Sequence, residues 1–407
     1  MAFLLAVLIG VYYVRLWPRV NNKDLAVHVH AAAVLAAGGD IYADVEPWIA
    51  ALENGTFMQD PDLRWPFIYP PSVAILLLPL AALPYAPMAL GWTVASILML
   101  VAAGWLCLEA QGPVEPLDVA LLGVALYAFY PAVVAVRLGQ LEILQFLLLA
   151  GTFWGLKRGH DDLAGVLLGL ATAIKFFPGA LIALLIWKRL WRPAAVAIAT
   201  ACTLLFGSFA VIGLDQVARY LGFTSVYTRG PFGAFPLNQS LHGFFQRNLT
   251  VNLFTPPLKG WHLPWLAEGL TLGFSAILVG AWAWLTWGGL AAEGGPGKSV
   301  RFDLEFGGSI ALMLLVMPHS QVYGFVYLLL PTLVLAYQLR RFGPHWAWPP
   351  AVVAYALFGR HYWITGPGIT RLAAGHVMLG TLLLLGLIGV LLYRSGAPGR
   401  VGGEAKG

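Results

Sequence analysis

Apolar stretches close to the length of a membrane span recur along the whole of this chain. They fall near residues 2–17, 86–108, 117–136, 140–156, 163–187, 194–213, 264–288, 305–317, 321–338, 346–364 and 372–393. In lipid every backbone polar group must be satisfied within the protein, which a helix achieves and an open strand does not. At about 20 residues per span, the pattern predicts an all-α polytopic membrane protein, a bundle of about 10–12 transmembrane helices with broken or re-entrant segments. Only 11% of the 407 residues are charged and 59% are hydrophobic, against a charged share of about 25% in a soluble domain. A soluble globular enzyme is thereby excluded. The formal charge of +5 would suggest nucleic acid in a soluble protein, but loop lysines and arginines that orient helices explain it here. Nucleic acid is discarded as a partner, and membrane lipid takes its place.

The polar interruptions at 18–71 and 214–263 are each too short for an independent core and long enough for a structured cap. The chain is therefore read as a single integral membrane domain over 1–407, with its chemistry in those two loops. The first 17 residues lack a basic leader and a small-x-small cleavage site, so they read as the first span. Cys107 and Cys202 lie far apart inside apolar runs and fit neither a disulfide framework nor a metal cluster.

Basic residues in short loops stay cytoplasmic. Lys157 and Arg158, then Lys188, Arg189 and Arg192, then Lys298 and Arg301, then Arg340 and Arg341, and the tail with Arg394, Arg400 and Lys406 hold 12 of the 24 basic residues. All five regions are placed inside, together with residues 109–118, whose Glu109, Glu115 and Asp118 have no basic residue among them. The 18–71 loop has seven acids (Asp24, Asp40, Asp44, Glu46, Glu53, Asp60, Asp62) against Arg19, Lys23 and Arg64, and is placed outside with the 214–263 loop. Residues 163–187 then have basic loops at both ends, so a break is predicted near Phe177-Pro178-Gly179, where proline removes a helical hydrogen bond. Lys175 would face the outer cavity. Residues 72–84, flanked by prolines, read as a half-helix at the outer leaflet.

An ionisable group at membrane depth costs roughly 2.5–3.5 kcal/mol on insertion scales and asks for a reason. Asp24, just past the first span, suits either a general base on a hydroxyl or a helix N-cap. Lys175 suits a departing phosphate or a snorkelling role at the interface. Glu142 reads as the ion-pair partner of Arg137 beside Gly139-Gln140. The string Asn238–Arg247 (NQSLHGFFQR) brings amides, a hydroxyl, His242 and Arg247 suited to sugar hydroxyls and phosphate oxygens, or to a solvated turn. His319, in MPHSQVYGF, reads most simply as a satisfied buried histidine. No spacing of His, Asp or Glu suggests a metal, and no glycine-rich phosphate loop is present. An enzyme of this kind would draw an activated donor from the membrane and need no cofactor. Asn-x-Ser/Thr triplets at Asn54, Asn238 and Asn248 fall in the outer loops.

The strings DLAVHVHAAAVLAAGGDIY, FIYPPSVAILLLPLAALP, RLGQLEILQFLLLAG, AGVLLGLATAIKFFPGALIALLIWKRLWRP, NQSLHGFFQR and MPHSQVYGFVYLLLP together resemble the family-87 glycosyltransferases of the GT-C superfamily, in the family's order and over nearly the whole chain. The resemblance implies an inverting transferase at the extracytoplasmic face of a plasma membrane. It would move a sugar, mannose being the best known, from a polyprenyl-phosphate donor to a glycolipid or glycan hydroxyl. It also implies that Asp24 is the base and that no metal is obligatory. Lys175, Gln140, Asn238, Gln239, Ser240, Arg247 and His319 would bind donor phosphate or sugar. His28, Tyr69, His242 and Tyr323 would stand on the acceptor side or behind the site. Two features depart from the pattern: Tyr323 occupies the place of a histidine, with His319 four residues earlier, and His28 replaces an aromatic. The alternative from another class is a transporter or flippase for a lipid-linked saccharide, since broken helices and buried charges also mark translocation paths.

Overall fold

A computed structural model describes residues 20–54, 56, 65–229, 231–252, 254, 260–287, 299–359 and 374–395. The 2–17 segment, Arg19, Asp60, Asp62, Arg64, Lys298, Arg400 and Lys406 lie outside the described residues. The helices are α1 Lys23–Ala36, α2 Val45–Glu53, α3 Pro71–Leu76, α4 Leu78–Ala81, α5 Tyr85–Glu109, α6 Pro116–Tyr127, α7 Tyr130–Leu138, α8 Glu142–Arg158 and α9 Asp161–Ile174. They continue with α10 Ala180–Trp187, α11 Trp191–Ile212, α12 Leu214–Arg229, α13 Leu241–Leu249, α14 Pro264–Thr286, α15 Val300–Val316, α16 Leu329–Phe342, α17 Trp348–Leu357 and α18 His376–Ser395.

Among the described residues, five helical stretches are long and apolar enough to cross a membrane: Tyr85–Glu109, Trp191–Ile212, Pro264–Thr286, Val322–Phe342 and His376–Arg394. The pair α6 and α7, bent by 59°, makes a sixth if it counts as one span. The protein is thus an all-α, multi-pass membrane protein. The apolar segments outnumber these spans because several fold as shorter pieces. The helices α8 and α15 have 17 residues each, about 26 Å at 1.5 Å per residue, the lower limit of a crossing.

Val322–Phe342, a 3₁₀ turn (Val322–Leu328) running into α16, is buried on almost every side and forms the axis of the bundle. The stretches α11 and α14 lie at the periphery and expose Phe206, Leu272, Ile277 and Trp284, apolar side chains suited to lipid. Close packing of α9 on α11 rests on Gly165 and Gly169, where an added Cβ would stand 2.7 Å from the Pro193 and Ala197 carbonyl oxygens.

The break in 163–187 is present. Helix α9 ends at Ile174, Lys175 is extended (φ −153°, ψ 133°), and a 3₁₀ turn at Phe177–Gly179 leads into α10. The short helix expected at 72–84 is the pair α3 and α4.

The described parts of the two polar loops fold as one cap. Its aromatic core joins Tyr42, Trp48, Phe67 and Tyr69 to Tyr220, Phe223 and Phe232. Gln216 Oε1 accepts from the Ile41 N–H at 3.1 Å, Arg219 pairs with Asp40, and the Tyr42 hydroxyl donates to the Tyr69 carbonyl at 2.8 Å. At the other end of α5 the basic loops find their acids. Arg158 pairs with Glu109, Arg340 bridges Glu115 (2.6 Å) and Asp118 (2.7 Å), and Lys157 meets Asp303 (2.6 Å). The acids of 109–118 are thus neutralised by basic clusters distant in sequence. The Tyr85 hydroxyl, at the start of α5, donates to the Asn22 carbonyl at 3.0 Å. The cap and the basic belt therefore lie at opposite ends of a 25-residue helix.

Candidate active site

Asp24 sits in the first turn of α1, and the cap position before that helix is held by Asn22, in the left-handed region at φ 45°. The N-cap reading of Asp24 is therefore corrected: Asn22 takes the cap position and Asp24 lies inside the first turn. Asn22 is pinned by its N–H to the Arg137 carbonyl (3.1 Å) and by its amide to Thr93 Oγ1 (3.3 Å). Helix α7 ends at Gly139 with φ 71°, which favours glycine, and an added Cβ would stand 2.7 Å from Asn22 Oδ1. This close approach brings Gln140 to Asp24, and the Gln140 amide donates to Asp24 Oδ2.

Beyond Gln140 the contacts continue. The Tyr69 hydroxyl lies 3.3 Å from Gln140 Oε1 and 3.2 Å from Glu142 Oε1, sharing one proton between two acceptors. Glu142 Oε1 also receives Lys175 Nζ at 2.7 Å. Lys175 stands among the rings of Phe177 (5.2 Å), Tyr69 (5.4 Å) and Tyr323 (5.6 Å), a cation in an aromatic cage. The Arg137–Glu142 pair expected from sequence is thus corrected. The carboxylate turns inward to Lys175, because a fully buried acid needs a cation at the same depth.

Two cavities meet here. The first, about 280 Å³, is lined by Lys23, Asp24, His28, Trp48, Trp65 and Gln140. The second, about 220 Å³, is lined by Lys175, Phe176, Phe177, Tyr220, Leu221 and His319. Ile68, Tyr69, Tyr227, Gln321 and Tyr323 belong to both and form the wall between them. Asp24 and Lys175 therefore occupy adjoining lobes of one site.

Burial, and after it the Glu142 charge, raise the Asp24 pKa to about 7, while Lys175 and Lys23 pull it down. Burial first, then Lys175, push His28 down to about 3 and leave it neutral. Its ring meets Tyr69 edge-on at 4.6 Å. His319 is lowered to about 3 by burial and then by Lys175 and His242; its Nε2 lies 2.8 Å from the Gln321 amide nitrogen and its ring 4.3 Å from Tyr227.

The 238–247 string is not among the residues that line these two cavities. Asn238 is fully buried, donates to the Gly233 and Pro318 carbonyls at 2.9 Å, and accepts from Ser320 N. Gln239 donates to the Pro236 and Ala374 carbonyls, and Ser240 caps α13 by accepting from Gly243 N. Arg247 donates to the Phe235 and Asn238 carbonyls, and burial lowers its pKa to about 10. His242 lies beside Glu268 at 3.8 Å and lines neither cavity. These polar groups satisfy backbone that has left regular structure. They fasten residues 237–239 to 320–322, through Gln239 N to Ser320 O (2.8 Å) and Val322 N to Leu237 O (2.7 Å), and so hold the His319–Tyr323 wall in place. Sequence reasoning missed Glu142 as Lys175's partner and missed Tyr227 and Gln321 as lining residues. Gln321 lies in a string already singled out, whereas nothing local marks Tyr227. Among the described residues, no three or more His, Cys, Asp or Glu side chains converge as a metal site would need.

The sequence profile of glycosyltransferase family 87 matches residues 67–318. Two curated relatives carry the name polyprenol-phosphate-mannose-dependent alpha-(1-2)-phosphatidylinositol pentamannoside mannosyltransferase. The one from Mycobacterium tuberculosis is 28% identical over 234 residues, 56% of this chain and 51% of the relative. The one from Mycolicibacterium smegmatis is 29% identical over 234 residues, 56% of this chain and 53% of the relative. The alignments span about half the length of these relatives. With the profile covering more than half of its residues, the chain belongs to glycosyltransferase family 87.

Proposed function

We propose that this protein is an inverting glycosyltransferase that moves a sugar, mannose by similarity to the named relatives, from a polyprenyl-phosphate donor to a hydroxyl of a glycolipid acceptor at the extracytoplasmic face. The observation that carries the reading is the adjoining pair of lobes, one with Asp24 and the other with Lys175. In the transfer, the acceptor hydroxyl gives its proton to the Asp24 carboxylate while its oxygen bonds to the anomeric carbon. The bond from that carbon to the phosphate oxygen breaks on the opposite side, and its electron pair leaves with polyprenyl phosphate. A carboxylate titrating near 7 is ionised often enough to accept a proton and basic enough to want it. The Lys175 ammonium stabilises the charge that gathers on the departing phosphate. Neutral His28 and His319 add no charge to either lobe.

The side of the membrane is supported by the separation of the cap from the basic belt at opposite ends of α5, since basic residues in short loops stay cytoplasmic. An acceptor of the phosphatidylinositol-mannoside class is supported by the names of the relatives. The test is purified protein in nanodiscs given radiolabelled polyprenyl-phosphate-mannose and a phosphatidylinositol-mannoside extract. Label appearing in the acceptor supports the reading. Label crossing a vesicle membrane on an intact donor, with none in the acceptor, contradicts it and favours the transporter.

A further inference from the structure

Glu142 has no part in the transfer as written, yet it is the most deeply placed acid near the site, 0% exposed at the start of α8 behind the lining residues Tyr69 and Gln140. Its Oε1 takes the Lys175 ammonium at 2.7 Å and the Tyr69 hydroxyl at 3.2 Å, and its Oε2 has no hydrogen-bond partner. The Tyr69 hydroxyl reaches Gln140, whose amide donates to Asp24. The contacts run without a gap from the cation through Glu142, Tyr69 and Gln140 to Asp24. We propose that Glu142 is a positioning residue that sets Asp24 and Lys175 in register, holding the ammonium directly and the carboxylate through Tyr69 and Gln140. The proposal rests on the reading of Asp24 as base and Lys175 as the leaving-group cation.

The reason is geometric and electrostatic. Lys175 follows the last residue of α9 in extended backbone, on a break where nothing helical fixes its direction. Its side chain is long, and ordering it costs rotamer entropy that a buried ion pair can offset. Glu142, on the first turn of α8, is anchored by contrast, and its carboxylate gives Lys175 one direction to point. The groups facing Asp24 are Lys23 on its own helix, Glu142, Lys175, Tyr69, Tyr227 and Tyr323. Those facing Glu142 are Lys175, Asp24 and Tyr69, with Tyr227, Tyr323 and Tyr327 around them. A second carboxylate beside the base keeps its proton affinity high, so the pair of acids around one ammonium tunes Asp24 as well as placing it.

The test is the pH profile of sugar transfer by Glu142→Gln, Glu142→Asp and Tyr69→Phe, with Asp24→Asn as the control, each shown monodisperse by size-exclusion chromatography. Glu142→Gln keeps shape and loses charge. Its acidic limb of kcat/KM is expected to move toward acid by about one pH unit as the like charge is removed, and its kcat to fall about tenfold or more as Lys175 loses its anchor. Glu142→Asp keeps the charge and shortens the reach, so it restores the limb more than the rate. Tyr69→Phe keeps the ring beside Lys175, breaks the link to Gln140, and lowers kcat more than it raises the donor KM. An unmoved limb with wild-type kcat in Glu142→Gln, beside an inactive Asp24→Asn, would overturn the role of Glu142 alone. An active Asp24→Asn would overturn the base itself and this inference with it.

Discussion

Asp24 is set by residues that no single motif contains. Asn22 turns the chain with a left-handed backbone, Gly139 lets the next loop approach, and Gln140 holds the carboxylate. A base with its pKa raised to about 7 makes transfer rise with pH through that value, because the ionised form carries the reaction. A kcat/KM profile with its acidic limb near 7 is the expected result, and a limb near the ordinary carboxylate range of about 4 would contradict it. For Lys175→Met, the lost ammonium should weaken donor binding more than acceptor binding and lower kcat by about 10²-fold. Equal effects on the two substrates would count against a phosphate role. Asp24 and Lys175 stood out in the sequence because ionisable groups in an apolar chain ask for a reason, whereas Gln140 and Tyr69 were marked only by the family resemblance. The Lys175–Glu142 pair was not legible, since the two are 33 residues apart and Arg137 offered a partner close by in sequence. The 238–247 string was open to two readings for a related reason. Amides and hydroxyls that bind a ligand and those that satisfy irregular backbone are the same residue types.

Helix breaks and close approaches place these side chains. The proline and glycine after Lys175 announced the interruption of 163–187, and the chain does stop being helical there. Its neighbour α11 packs against α9 through two glycines that leave no room for a side chain. Gly169→Val should therefore destabilise the bundle by about 1–3 kcal/mol, the usual cost of overpacking, read as a lower unfolding temperature in detergent with Gly207→Ala, at an open position, as reference. An unchanged unfolding temperature in Gly169→Val would show that the two helices can part freely. Among the described residues fewer stretches reach full span length than there are apolar segments, because helices such as α8 and α15 sit at the lower limit of a crossing, and length alone does not say which of them cross.

Across the whole molecule, charge is sorted to the two ends. One end carries the paired clusters around Glu109, Glu115, Asp118, Arg158, Arg340 and Arg341, and the other carries the aromatic cap over the two lobes. The sorting was legible from basic residues alone, whereas the partners of the acids at 109–118 needed the fold. In intact cells carrying a Cys202→Ser background, an impermeant maleimide should label Ala37→Cys and leave His160→Cys and Leu190→Cys unlabelled until the membrane is opened. The reverse pattern would turn the protein over. The central claim is that a two-lobed site with Asp24 as its base performs sugar transfer. Its most direct test is transfer from polyprenyl-phosphate-mannose to a phosphatidylinositol-mannoside by purified wild type beside folded Asp24→Asn. The account predicts transfer by the wild type and a loss of about 10²-fold or more in the variant; equal transfer by both would contradict it.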